Sequence, residues 1–140
     1  MDTEWTNRVH RVIMSTVDLI QRGETEQAFG EIDRTLTDAL HDHEELYFKT
    51  LCKHAAVMAH ASGDRDREIR YTKQALPYAK DRQFALYNLA ELLLRDGQTG
   101  AAEQYAAEAY QLSVVKGTAD NRELATASLR LWPSIAGGRS

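Results

Sequence analysis

The sequence is short of most features that would commit it to a particular chemistry. Its one cysteine, Cys52, cannot close a disulfide within the chain, which fits a reducing compartment. Only two prolines occur, Pro77 and Pro133, so long stretches are free to run as unbroken helix. Apolar runs are a few residues at most, far below the ~20 needed to cross a bilayer, and no membrane partner is expected. The opening "MDTEWTNRVHR" is acidic where a secretory leader would be basic, and "VIMSTVDLI" is short and broken by Asp18, so a cytoplasmic location is expected. Excess positive charge is missing as well: 17 Lys and Arg stand against 21 Asp and Glu, a net charge of −4. Even the densest basic stretch, "GDRDREIRYTK", carries Asp64, Asp66 and Glu68, the pattern of a solvated helix face with local ion pairs. A nucleic-acid partner, which needs a clustered basic surface, is not expected.

Motifs of catalysis are equally scarce. There is no Gly-rich phosphate loop and no Ser nucleophile motif, and Cys52 has no evident activating neighbour. Glu91 and Arg95, four apart, suit an ion pair better than an acid–base system. His41, Asp42 and His43 could chelate only loosely, and His54 and His60 are six apart, which does not put them on one helix face. No metal, no cofactor and no enzymatic activity are expected.

What is present is helical periodicity, with no stretch of strand-like alternation. Seven apolar stripes can be traced. The first runs through Val9, Val12, Ile13, Val17 and Ile20 to Gly23, and the second through Ala28, Phe29, Ile32, Leu36, Ala39 and Leu40. After the polar link "HDHEE", where Asp42 and Glu45 have capping-box spacing, a third carries Phe48, Leu51, Cys52, Ala55 and Ala59 to Gly63. The fourth carries Ile69, Ala75 and Leu76, with Pro77 as a kink or early end. A fifth carries Leu86, Leu89, Ala90, Leu93 and Leu94 to Gly97, and a sixth Ala102, Ala106, Ala109 and Leu112 to Gly117. Asp120 and Glu123 suggest a second capping box before the seventh, with Leu124, Leu129 and Trp132, which Pro133 closes. The expected fold is all-α, with "AGGRS" (136–140) as a flexible tail.

Three turns, "RGETEQ", "SGDRDRE" and "DGQTGAAE", place a glycine after a helix end, where a left-handed residue suits it. Gly63 and Gly97 are 34 residues apart; Ala56 and Ala90, Tyr71 and Tyr105, and Ala75 and Ala109 keep the same offset. A 34-residue period of helix–turn–helix units resembles the tetratricopeptide repeat. The segment 83–116 is most similar to that family: Leu86, Leu89, Ala90 and Leu93 match its first helix, Gly97 its turn, and Ala102 and Ala109 the small residues of its second helix. Leu86 stands for an aromatic and Ala106 for a larger residue. The units at about 6–40 and 44–80 are more degenerate, and the first is six residues longer.

The resemblance implies a right-handed α-solenoid of antiparallel helix pairs, a single domain over 1–135 with a capping helix at about 120–132. It implies a non-catalytic module whose first helices line a groove for a peptide or protein partner. Alternatives within the fold are a small secretion chaperone or a regulatory protein acting through a partner. The groove would offer His10, Ile13, Met14 and Val17, then Thr50, Lys53, His54, Val57 and His60, then Phe84, Tyr87, Asn88, Glu91 and Arg95, and finally Asn121 and Arg122. Some members of the family clamp a terminal carboxylate. Lys53, Asn88 and Arg122 match three of those five clamp positions, while Val57 and Thr118 depart from the other two, which implies a carboxylate-bearing partner and a partial clamp. Trp5 and Trp132 near the two ends suggest an apolar face for a homodimer.

Overall fold

A computed structural model describes residues 3–136 and shows seven helices and no strand among them. They are α1 (Thr3–Gln21), α2 (Thr25–His41), α3 (Glu45–Ala61), α4 (Arg65–Ala75), α5 (Arg82–Arg95), α6 (Thr99–Lys116) and α7 (Ala119–Leu131). Short 3₁₀ turns follow α4 (Leu76–Tyr78) and α7 (Pro133–Ala136), so Ala136 belongs to ordered chain, and the rest of the expected tail lies outside the described residues. The chain forms two compact units, Met1–Tyr78 and Ala79–Ser140.

The turns explain the hairpins. Gly23, Gly63 and Gly97 have φ of +82°, +72° and +83°, each two residues past the last helical residue. At each, the next residue's amide reaches back to the helix: Glu24 N–H to the Leu19 carbonyl, Asp64 to Ala59, and Gln98 to Leu93, all at 2.8–2.9 Å. This is the Schellman closure, and it satisfies carbonyls that a helix end leaves unpaired. The same closure joins α2 to α3, with Glu44 N–H donating to the Ala39 carbonyl, but there His43 occupies the left-handed position at φ +59°. The "HDHEE" link is therefore a tight turn with a non-glycine at its pivot.

Both expected capping boxes are corrected. The N-cap of α3 is Glu44, which makes no side-chain cap bond. Asp42 instead accepts a hydrogen bond from Trp5 Nε1 at 3.2 Å. The N-cap of α7 is Thr118, whose hydroxyl accepts from the Asn121 backbone, so Asp120 already lies inside the helix. Asp64 does cap α4, accepting from Arg67 N–H at 3.1 Å.

In the first unit, α1 packs on α2 and α3, α2 on α3, and α3 on α4. Their meeting faces bury Val9, Val12, Phe29, Ile32, Leu51, Cys52, Ala55 and Tyr71. Tyr71 stacks on Phe29 and donates its hydroxyl to Asp33 at 2.7 Å. Arg67 lies over the Phe29 ring and forms a fork on Glu26, which ties α4 to α2. In the second unit α5, α6 and α7 pack mutually. Ala90, Ala102, Ala106 and Ala109 are all fully buried there, as small residues at a close helix approach should be. Trp5 and Trp132 are buried too. Trp5 stacks on Tyr47, and Trp132 meets Tyr87 edge-on, so neither leaves the exposed aromatic face that a homodimer was expected to cover.

Candidate functional site

In each unit, first helices are pinned side by side by a polar bridge between residues 38 apart. In the first unit the bridge is Thr16 to His54, 2.9 Å long. The Thr16 hydroxyl spends its one proton on the Val12 carbonyl, 2.7 Å away, so it must accept from His54 Nε2–H. Burial lowers the His54 pKa, which keeps the ring neutral and in this role. His54 is thus a seam residue between α1 and α3, rather than an open groove residue as expected from the sequence.

That seam fixes which side chains share a face. On α1 the steps from Thr16 toward the core reach Val12 and Leu19; the opposite steps reach His10, Met14 and Val17. On α3 the steps from His54 toward the core reach Leu51 and Met58; the opposite ones reach Thr50, Lys53 and Val57. The outward residues of both helices consequently lie on one side of the seam. Met14 is 59% exposed and Val57 68%, with Val17 exposed on α1 and Lys53 solvated on α3. This is an apolar strip carrying a cation, on two rigid helices. His60, also expected in the groove, is exposed and pairs with Glu68 of α4 at 3.2 Å.

In the second unit the bridge is Gln83 Nε2 to Asn121 Oδ1, 3.0 Å and buried. Asn121 also donates its amide to Thr118 at 2.6 Å, so this residue, expected to face the groove, is consumed in holding α7 to α5. Phe84, Tyr87, Asn88, Glu91 and Arg95 follow one stripe of α5, with Asn88 and Arg95 exposed and the other three half-buried. Burial raises the Tyr87 pKa, and the neighbouring Glu91 carboxylate, which is hydrogen-bonded to it, raises it further. Glu91 is thus engaged with Tyr87. Arg122 is exposed, and its guanidinium donates to the carbonyl of Gly117, in the turn before α7, at 2.6 Å.

Cys52 is buried, and its pKa is pushed up to about 12 by that burial and by Asp33, so its thiol stays protonated and unreactive. Among the described residues no cluster of His, Cys, Asp or Glu could hold a metal ion. No helix among them is long and apolar enough to cross a membrane.

No family model matches the chain, and no curated protein matches it. Among solved structures it is similar to the C-terminal TPR-containing domain of a Plasmodium falciparum FK506-binding protein. The identity is 15%, the TM-score 0.54, and the match covers 99% of this chain and 97% of that one. Such a likeness speaks to fold alone. With the left-handed turns and the first-helix seams, it defines a tetratricopeptide-like, all-α fold of antiparallel helix pairs.

Proposed function

We propose that the chain is a non-catalytic interaction module that holds a peptide or protein partner on the outward faces of its first helices. The observation that carries this is the exposed apolar strip of Met14, Val17 and Val57 on the α1–α3 face, with Lys53 beside it. Large apolar side chains grouped on rigid helices cost solubility unless something covers them. A cation on the same face adds preference for an acidic or carboxylate-bearing segment, since hydrogen bonds to charged groups are the strong ones. In the second unit the α5 stripe, led by Asn88 with Tyr87, Phe84 and Arg95, offers amide, aromatic and basic contacts of the kind that anchor peptides. Arg122 would join only after releasing the Gly117 carbonyl.

The test is paired capture from the native host, with the full chain and its Val57→Asp variant as baits. Val57 is solvated, so the variant should melt with the parent. A partner retained by the parent and lost by the variant supports the reading. One captured equally by both removes the α1–α3 face from the account.

A further inference from the structure

Between α1 and α2 lies a cleft of about 440 Å³, walled by those two helices alone. Val12 and Thr35, both buried, stand at its base. Two polar bridges cross it: Ser15 donates its hydroxyl to the Glu31 carboxylate at 2.9 Å, and Arg8 pairs with Asp38. From the first bridge to the second each helix runs seven residues, close to two turns, in opposite directions. Midway between the bridges, and so level with one another across the cleft, are Arg11 and Arg34, which both line it. Neither has an ion pair or a hydrogen bond among the described residues. No acid stands three or four residues from Arg11, where Asn7, Arg8, Met14 and Ser15 are found. Arg34 has Glu31 and Asp38 at those spacings, but Ser15 and Arg8 draw both of them across the cleft. Its guanidinium lies back over Gly30, with Nη1 3.6 Å from where a Cβ would stand. Two cations facing each other at one level repel, and an anion between them turns that repulsion into two attractions.

We propose that Arg11 and Arg34 together receive a carboxylate, the Asp or Glu side chain of a protein partner. The charge count selects one negative charge: the walls carry Arg8, Arg11 and Arg34 against Glu31 and Asp38, so a single carboxylate brings the cleft to neutrality. The cleft is opposite in sign to the unit around it, since residues 1–78 carry fourteen Asp and Glu against ten Lys and Arg. A carboxylate also has two oxygens, one for each guanidinium. The exposure of the pair selects the source. Solvated ion pairs hold a free small acid only weakly, whereas a side chain on a protein already docked nearby arrives at high effective concentration. The α1–α3 face supplies that docking, because Arg11 and Met14 are three apart on α1 and so are surface neighbours. The source of the carboxylate therefore rests on the function proposed for that face, while the site itself does not.

The test of the site uses the full isotope-labelled chain, titrated at fixed ionic strength with the capped pentapeptide Ala-Ala-Glu-Ala-Ala and with its Gln analogue. The Glu peptide should shift the Arg11 and Arg34 side-chain Nε–H resonances and the Ser15 and Thr35 amides to saturation, and the Gln peptide should not. Arg11→Gln and Arg34→Gln should each weaken binding about fivefold with melting unchanged, since both side chains are exposed. Arg22→Gln, at an arginine held by Asp18 and Glu24, should leave binding as it was. Shifts spread over all the arginines, equal shifts from the Gln peptide, or binding untouched by Arg34→Gln would refute the site and leave the α1–α3 face standing. For the source, the chain carrying both Arg11→Gln and Arg34→Gln should retain severalfold less of the partner that Val57→Asp loses. Undiminished retention would refute a partner side chain as the occupant. If no captured partner depends on Val57, the α1–α3 reading and the protein source fail together, and the peptide titration alone decides the site.

Discussion

Replacing His43 by glycine should stabilise the protein. His43 sits at φ +59° in the α2–α3 turn, in the position that glycine fills after α1, α3 and α5. A side chain in the left-handed region costs an L-residue about 1–2 kcal/mol, and His is among the residues that bear it best, which places this site near the lower end. The imidazole is exposed, so trimming it removes no packing. Glycine's looser unfolded chain takes back about 0.4–1 kcal/mol. The expected gain is up to about 0.6 kcal/mol, read as a raised urea midpoint at constant slope or a melting temperature higher by up to about 3 °C. Gly63→Ala is the reciprocal experiment. A Cβ at Gly63 meets nothing within 4 Å, so its cost, about 1 kcal/mol, is that of the backbone conformation alone. If His43→Gly is destabilising while Gly63→Ala shows its cost, the equivalence of the two turns is refuted.

Ala90→Leu and Ala109→Leu should each cost about 1–3 kcal/mol in thermal or urea unfolding, because both are fully buried at helix contacts, while Ala61→Leu at an exposed site should not. Gln83→Ala should cost about 1–3 kcal/mol by leaving the buried Asn121 carbonyl without its donor, and Asn121→Ala should be less than additive with it in a double-mutant cycle. The His54 pKa is lowered in the folded state, so the unfolded state binds the proton more readily. Stability should therefore fall as pH drops through the unfolded value near 6.5 and level off below the lowered folded value, and His54→Gln should flatten that part of the profile.

The helices were legible in the sequence because their apolar stripes are long and four of their ends carry a glycine that adopts positive φ. The α2–α3 turn is less legible because a histidine stands at its pivot. A spacing signal was present, since His43 lies midway between Gly23 and Gly63. The extra length of the first interval is therefore two full 17-residue helices rather than a long loop. Site residues were harder, because one step along a helix turns a side chain by about 100°. Assigning the α7 cap to Asp120 rather than Thr118 hid the fact that Asn121 points at Gln83. The resemblance puts His54 in the groove beside Lys53 and Val57. Only the Thr16 contact, 38 residues away, shows it to be the seam itself. Leu40 belongs to the α2 apolar stripe by sequence, yet it is 46% exposed.

The partner-binding claim for the α1–α3 face is tested most directly by photo-crosslinking in the native host, with a benzophenone amino acid placed at position 57 or, as control, at the solvated position 115 of α6. The account predicts a discrete protein adduct from position 57 that disappears when Met14 is also replaced by Asp, and none of the same mass from position 115. Equal adducts from both positions, or one from position 115 alone, would contradict it.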